Sequence, residues 1–297
     1  MSARAWLLFA AVSVVWGVPY FLIKVAVDAD VPPAFVAWSR VVLGAALLLP
    51  LALKRQALRG LKRHRVAIAA YAGCEIAVPF MLIAVGEQHV ASSLAAILIS
   101  SMPLMVTLLS LRFAPDDRAT GVRLAGLFTG LAGVVLLLGI DVAGEADELL
   151  GALLILVATL GYATAPLIIQ RSLAELDPLG PVTAGLMISA VALLPLAIAA
   201  PPETTPPLDA VASLVVLGAV CTALGLVLFF QLIAEAGPSR ASIITYVNPV
   251  VAVILGVLVL DERLGASSIT GLVLILAGSW LATGGRVRRK KRAAVSF

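Results

Sequence analysis

The chain repeats itself at a spacing of 145 to 146 residues. Residues 48–52, Leu-Leu-Pro-Leu-Ala, recur as residues 193–197. Each half holds five apolar segments of membrane length, an odd number, so the second half must lie inverted relative to the first. Two inverted repeats around a site near the bilayer midplane are typical of secondary transporters. Further pairs at this spacing are Pro33 and Pro178, Ala95 and Ala241, Pro103 and Pro249, residues 116–118 and 261–263, Gly126 and Gly271, Ala132 and Ala277, and Gly133 and Gly278.

The composition requires a membrane. Hydrophobic residues make up 61% of the chain and charged residues 13%, whereas soluble proteins carry about 25% charged residues. A transmembrane helix needs roughly 20 apolar residues. The sequence therefore predicts an all-α integral membrane protein with ten transmembrane helices in two inverted five-helix repeats. The predicted spans are 5–27, 33–53, 66–88, 91–112, 121–140, 149–171, 178–200, 210–235, 239–260 and 266–284.

The basic residues predict the orientation, because Lys and Arg accumulate on the cytoplasmic side of membrane proteins. Eighteen of the 21 lie in loops or tails on one predicted side, and Arg263 is the exception among the loop residues. Both termini are therefore expected in the cytoplasm. We expect the first repeat at residues 1–145, the second at 146–285 and a basic cytoplasmic tail at 286–297. A basic tail directly after a span is a topology signal that contacts anionic lipid, so no nucleic-acid partner is expected.

Cofactor chemistry finds little support in the sequence. Cys74 and Cys221 both lie inside predicted spans, which implies no disulfide framework. His64 and His89 are too few and too far apart for a zinc site. The sequence also has no phosphate-binding glycine loop with its lysine. We therefore expect neither a metal nor a cofactor.

Proline residues lie inside several predicted spans, where each removes a backbone donor and tends to kink the helix. Such irregular backbone survives in a membrane where it faces protein or lines a cavity. Pro79 in helix 3 is matched by Gly225 in helix 8, which gives both repeats a weak point at the same depth. The predicted hinge positions are Pro19, Pro79, Gly225 and Pro249.

Both halves contain short motifs of small residues, aromatic residues and single charges. They are Trp16, Gly17 and Lys24 in helix 1, Arg40 in helix 2, residues 91–96 leading to Pro103, and residues 238–249 followed by residues 261–263. These motifs resemble the EamA repeat, the ten-helix exporter branch of the drug/metabolite transporter superfamily. The resemblance covers residues 5–284 and is closest to the YddG-like amino-acid exporters. It implies export of amino acids and related metabolites across the bacterial plasma membrane.

The second copy departs from this pattern. In the second repeat, the position equivalent to Trp16 is Tyr162. The positions equivalent to Lys24 and Arg40 are Gln170 and Gly185. The resemblance implies a cavity between helices 1, 3, 4, 6, 8 and 9, with helices 5 and 10 at the periphery. Glycines at 126, 130, 133, 271 and 278 give those two helices small-residue packing faces. The expected partners are a small-molecule substrate and membrane lipid, and the chain is expected to be a monomer or a weak homodimer.

A cavity for a zwitterion needs an apolar or aromatic wall together with groups for the carboxylate and the ammonium. Aromatic faces also attract an ammonium. Hydroxyl and amide groups near the kinked backbone can supply hydrogen bonds. The predicted substrate-binding residues are Trp16, Tyr20, Glu75, Pro79, Phe80, Ser100, Met102, Pro103, Tyr162, Pro166, Thr222, Phe230, Tyr246 and Asn248.

Three charged residues lie within the spans, where a charge costs at least about 2.5–3.5 kcal/mol and calls for a partner or a function. Lys24 is near a helix end and can extend to the interface. Arg40 and Glu75 differ in depth by about 5 Å on the helical rise, so the sequence predicts a structural ion pair between them. The other interpretation is that Glu75 carries a proton or meets the substrate ammonium.

The sequence thus favours a transporter of amino acids, aromatic and other, or of related metabolites, working by alternating access and without enzymatic activity. One alternative is a membrane-embedded lipid or isoprenoid transferase, which needs clustered acids for Mg²⁺ or a positioned base. Another alternative is a carrier of drugs or phosphorylated metabolites with the same fold. A channel would show a continuous polar lining, whereas the spans offer scattered hydroxyls, aromatics and kinks.

Overall fold

The computed structural model describes residues 1–113, 120–141 and 146–283, and within these ranges all regular secondary structure is helical. Eight helices are long and apolar enough to cross a membrane, and two shorter apolar helices complete a set of ten among the described residues. The all-α membrane fold predicted from the sequence is thereby confirmed. The helices are α1 Ala3–Asp28, α2 Pro33–Lys54, α3 Leu61–Gly86, α4 Ser92–Leu109, α5 Val122–Gly139, α6 Ala146–Leu173, α7 Leu179–Ala199, α8 Leu208–Ala236, α9 Ile244–Val259 and α10 Ala266–Ala282.

Two helices begin earlier than the apolar pattern predicts. A 3₁₀ turn at Leu61–His64 leads into α3, and α6 begins with Asp147 and Glu148 in its first turn. Acidic side chains stabilise a helix N-terminus through the helix dipole, so a polar first turn extends the helix without lengthening the apolar run. Residues 116–118, the predicted repeat boundary at 145 and the predicted tail at 286–297 lie outside the described residues.

The prolines act differently from one helix to the next. Helix α1 is interrupted at Val18 between Ala3–Gly17 and Pro19–Asp28, although Val18 keeps helical dihedral angles. Helix α4 is interrupted after Ile99 and resumes at Met102, next to Pro103. Pro249, the repeat counterpart of Pro103, lies inside the continuous helix Ile244–Val259. The two repeats therefore have different backbone conformations at equivalent positions.

Wide π-helical turns occur at equivalent places in α3 and α8. They span Ala72–Ala77 and Leu217–Leu224, which begin 145 residues apart. Pro79 follows the first segment closely and Gly225 follows the second directly. A π-helical turn loosens the regular hydrogen-bond ladder and is frequent at functional sites. The weak points predicted in these two helices thus coincide with a local departure from α-helical geometry in both repeats.

Glycine faces join α5 to α10 closely. Gly126, Gly130 and Gly278 are all buried, and a side chain on Gly278 would collide with the backbone of Gly130. This is the packing expected from the small-residue pattern. Elsewhere α2 packs on α7 and α8, and α4 packs on α9. The centre of the bundle is therefore built from contacts between one repeat and the other.

Candidate functional site

Arg40 of α2 meets Thr222 of α8 where the two repeats cross. Its Nε donates a 2.9 Å hydrogen bond to Thr222 Oγ1, and the two residues are 8% and 3% exposed. Gly44 allows this approach, since a Cβ there would lie 2.8 Å from Thr222 Cγ2. The Thr222 hydroxyl itself donates to the carbonyl of Leu217 at 2.8 Å, which fixes its lone pairs for Arg40. The π-helical turn thus positions the acceptor.

Phe80 of α3 covers one face of the Arg40 guanidinium. The carbon at the centre of the guanidinium lies 3.8 Å from the centroid of the Phe80 ring. A cation over an aromatic face is stabilised by the ring quadrupole, more strongly when both groups are removed from water. Phe80 follows Pro79, after the π-helical segment of α3. Of the groups that contact Arg40, Thr222 thus lies within the π-helical turn of α8, and Phe80 lies three residues beyond that of α3.

Two tyrosines from other helices complete the surroundings of Arg40. Tyr20 of α1 and Tyr162 of α6 lie within electrostatic range of its charge, and Tyr162 also interacts with Tyr20 and Glu75. We call Arg40, Tyr20, Phe80, Tyr162 and Thr222 the Arg40 cluster. Its members come from five helices of both repeats, and four of the five are predicted substrate-binding residues.

The predicted ion pair between Arg40 and Glu75 does not form. Both residues are described, and the ion pair found within the described ranges joins Lys24 to Asp28 at 2.9 Å. Arg40 turns instead to Thr222 and Phe80. Glu75 lies within the π-helical turn of α3, where its carboxyl interacts electrostatically with Tyr71 and Tyr162. Similar depth thus does not bring the two side chains together, and each has different neighbours.

Several other predicted residues make contacts of their own in the bundle. Trp16 Nε1 donates to the carbonyl of Cys221 at 3.1 Å, and its ring packs on Phe229 at 4.7 Å between centroids. Ser100 donates back to Ile97 at 2.6 Å.

Two further predicted residues, from α9, bond to neighbouring helices. The hydroxyl of Tyr246 lies 3.3 Å from that of Thr283. With its amide nitrogen turned towards them, Asn248 donates to the carbonyls of Ile244 and Ser13. These contacts are structural, and they leave both residues outside the Arg40 cluster.

The remaining predicted residues lie around the cluster at different depths. Phe230 packs against the same buried core as Phe80 and Tyr162. Pro103 is buried, Met102 is half-buried and Pro166 is exposed. The hinge positions Pro19 and Pro79 are buried in α1 and α3.

One end of the bundle, formed by turns 29–32, 87–91 and 260–265 and here called the Glu262 end, is tightly joined. The carboxylate of Glu262 accepts from Ser92 N at 2.7 Å, Ser92 Oγ at 2.8 Å and Ser93 N at 3.0 Å. Lys24 donates to the carbonyl of Glu87 at 3.0 Å and pairs with Asp28. The first and second repeats are thereby linked at this end.

Glu87 lies in the turn after α3, beyond the membrane span, and is fully buried with neither carboxylate oxygen hydrogen-bonded to a described residue. Burial raises the pKa of Glu87 well above its ordinary value. Sequence reasoning did not select Glu87 or the Glu262 contacts. The Glu262 contacts could have been expected from the Ser-Ser pair at the start of α4. At a helix start, side-chain oxygens and carboxylates accept hydrogen bonds from the free backbone donors.

The opposite end, here called the basic end, has an open pocket of about 610 Å³ against α3, α4 and α6, and its lining residues do not belong to the Arg40 cluster. Its wall combines apolar residues such as Leu109 and Ile168 with Arg63, His64 and Arg171. The two ends of the bundle thus differ: cross-repeat hydrogen bonds close one, and the other has space between helices.

The comparisons with known proteins agree with this architecture. The sequence profile of the EamA-like transporter family matches residues 3–139 and again residues 149–284. The chain belongs to the EamA-like transporter family. The uncharacterized transporter YoaV of Bacillus subtilis (strain 168) is 28% identical over 285 residues, which cover 94% of this chain and 97% of that protein.

Two further similarities concern the compartment and the fold. The uncharacterized inner membrane transporter YedA of Escherichia coli (strain K12) is 28% identical over 256 residues, covering 83% of this chain and 79% of that protein. A crystal structure with a TM-score of 0.66 and 19% identity covers 95% of this chain and 98% of its own. This EamA-like chain is a multi-pass membrane protein with the fold of that structure.

Proposed function

We propose that the protein exports amino acids or related small metabolites across the bacterial plasma membrane by alternating access. Membership of the EamA-like transporter family supports transport, and the similarity to an inner membrane transporter supports the compartment. The Arg40 cluster supports the substrate class, because it offers a cation stacked on the Phe80 ring, with the Tyr20 and Tyr162 hydroxyls within electrostatic range of its charge. Such a site has one wall for an apolar side chain and polar groups that fix orientation.

The observation that carries the proposal is the pair of π-helical segments in α3 and α8. They lie at equivalent positions of the two repeats, and each precedes a predicted hinge residue, Pro79 or Gly225. Bending there would move Phe80 and Thr222 relative to Arg40. A binding site whose groups sit beside the flexible points of both repeats suits a carrier that opens alternately to the two sides.

The difference between the two ends supports the same mechanism. The Glu262 end is closed by hydrogen bonds from Glu262 to Ser92 and Ser93, whereas the basic end has a cavity of about 610 Å³. Because the basic residues gather at the end with the cavity, the positive-inside rule places that end in the cytoplasm. In the proposed cycle this conformation faces the cytoplasm, where both termini also lie. Pro19 and Pro249 serve as further hinges beside Pro79 and Gly225.

The proposal is tested by counterflow in proteoliposomes. Purified protein is reconstituted with single unlabelled amino acids inside, and uptake of labelled L-phenylalanine is followed from outside without an imposed ion gradient. Accumulation above that of protein-free liposomes is expected for a subset of the panel. Absence of accumulation across the whole panel, while a known carrier works in parallel, would overturn amino-acid export. A second panel of drugs and phosphorylated metabolites would then identify the substrate class.

Alternating access is tested separately at the α8 hinge. A side chain at Gly225 would lie 2.6 Å from Trp16 Nε1, so Gly225→Ala should stiffen α8 against α1 and slow counterflow several-fold. Gly139→Ala is the control, since open space surrounds that position in α5. Equal rates for both variants would contradict a hinge at Gly225.

A further inference from the structure

We propose that Arg40 is the anion subsite of this transporter and that its substrates carry a carboxylate, which the Arg40 guanidinium binds. The inference deepens the proposed function and rests on it. It gives Arg40 a role in recognition in place of the structural ion pair that the sequence predicts.

The unused hydrogen-bonding capacity of Arg40 is the first argument. A guanidinium has five N–H donors, and the one on Nε is taken by Thr222. The other four make no hydrogen bond to any residue within the described ranges. The side chain is nevertheless 8% exposed, in the middle of a membrane bundle. Among the described residues, the fully enclosed side-chain atoms without a partner belong to Ser13, Glu87 and Ser279. The Arg40 Nη groups therefore face a space that small molecules can enter, where a ligand with paired acceptor oxygens can bind them.

The charge of Arg40 is the second argument. A guanidinium is positively charged. The ion pair found among the described residues joins Lys24 to Asp28 and does not involve Arg40. Glu87 and Glu75 do not bond to it. A buried cation needs a counter-ion. An arriving monoanion supplies that charge.

The shape of the site favours a carboxylate. Phe80 covers one face of the guanidinium and Thr222 occupies its Nε, which leaves the outer edge with the paired Nη groups. That edge matches the two coplanar oxygens of a carboxylate in a bidentate pair. A phosphate dianion would bring two charges to one cation, because Lys24 is already engaged by Asp28. The geometry thus selects a singly charged, planar anion.

The test uses L-phenylalanine and aromatic compounds that change its charged groups. L-phenylalanine has a carboxylate and an ammonium, 3-phenylpropionate lacks the ammonium, and L-phenylalaninamide lacks the carboxylate. Phenyl phosphate carries a phosphate as its only charged group and lacks the alkyl chain. Each is measured for its shift of the melting temperature of the purified full-length protein in detergent and for competition with labelled L-phenylalanine in counterflow. The variants are Arg40→Gln, Arg40→Lys and, as a control, Lys54→Gln, a cation exposed at the end of α2.

The expected result is that L-phenylalanine and 3-phenylpropionate stabilise the wild type and compete in transport, while the amide and the phosphate do so far less. Arg40→Gln should weaken binding of the two carboxylates about 10- to 100-fold, the loss of a charge-assisted hydrogen bond. Lys54→Gln should match the wild type. Arg40→Lys keeps the charge, so it should bind carboxylates more weakly than the wild type and still prefer them to the amide. This variant decides the matter if Arg40→Gln does not fold.

The possible failures are distinguishable. If wild type and Arg40 variants transport L-phenylalanine with the same preference over its amide, the anion subsite is wrong and amino-acid transport stands. If carboxylates shift the melting temperature through Arg40 but no amino acid is exchanged, the subsite stands and the proposed function is wrong. If no carboxylate binds, or if phenyl phosphate binds best, the inference is overturned.

Discussion

Glu262 of the second repeat caps the first turn of α4 in the first repeat, with its Oε1 2.7 Å from the backbone nitrogen of Ser92. The same carboxylate reaches Ser92 Oγ and Ser93 N, so one side chain satisfies two of the free donors of a helix N-terminus. The contact closes the Glu262 end by joining repeats that must separate there if the protein is to open on that side. It is therefore both a stabilising cap and a candidate gate contact.

Removing this cap should destabilise the protein. Glu262→Ala is expected to lower the free energy of unfolding by about 0.5–2 kcal/mol, the usual cost of a lost N-cap, and to lower the melting temperature in detergent. Asp261→Asn is the matched control, because the neighbouring Asp261 is exposed and its positive φ of 54° suits asparagine. Equal melting temperatures for both variants would show that the carboxylate does not hold α4.

The closed Glu262 end should also depend on pH through Glu87. Burial raises the pKa of Glu87 well above its ordinary value of 4.5. An arrangement that buries Glu87 therefore binds its proton more tightly than one that exposes it. The stability contributed by this proton is complete below pH 4.5 and is lost as the pH rises through the raised pKa. The charged or titratable groups around it are Lys24, Asp28 and Tyr20 of α1, Arg40 of α2 and Glu262 after α9.

Glu87→Gln should remove this dependence, because glutamine stays neutral and has nearly the same shape. We expect the melting temperature of the wild type to fall, and its counterflow rate to change, as the pH rises above 4.5 and through the raised pKa of Glu87. Both quantities should change less in Glu87→Gln. Both are measured across pH 5 to about 9, a range that brackets the shift of a buried carboxyl. Parallel profiles for wild type and variant would exclude Glu87 as the titrating group.

The α5–α10 interface offers a test of packing. A Cβ at Gly278 would collide with the backbone of Gly130, so Gly278→Ala must separate the helices and should cost about 1–3 kcal/mol of stability, as overpacking does. Gly139→Ala in α5 meets open space and should leave the melting temperature unchanged or raise it slightly, since alanine favours helix. Comparable losses in both variants would contradict the close approach.

The sequence predicted this architecture well, because the length of apolar segments and the spacing of residues along the chain are enough to predict it. Apolar length set the ten helices, and the spacing of Gly126, Gly130 and Gly278 indicated a close helix face. Comparing the two repeats also matched Pro79 with Gly225, and both lie just after π-helical segments that the sequence did not predict.

Direction around a helix axis was harder to predict. The rise per residue gave Arg40 and Glu75 similar depths, yet the side chains have different neighbours. Glu87 was not selected from the sequence, and it lies fully buried in a turn where Lys24 donates to its carbonyl. Tyr246 and Asn248 have the chemistry of ligand contacts, but neighbouring helices take up their polar groups. Such contacts depend on the tertiary structure, which short-range patterns do not specify.

Thr222 should act on Arg40 without itself carrying charge. Thr222→Val keeps the shape that packs against Gly44 but leaves Arg40 Nε without its acceptor, which costs about 1–3 kcal/mol for a buried donor. Thr222→Ser retains the hydroxyl and should restore most of this loss, apart from the packing of one methyl group. In a double-mutant cycle, Thr222→Val should cost much less stability when Arg40 is already glutamine than in the wild type. If the two substitutions lower the free energy of unfolding additively, the 2.9 Å hydrogen bond between these residues does not stabilise the crossing of α2 and α8.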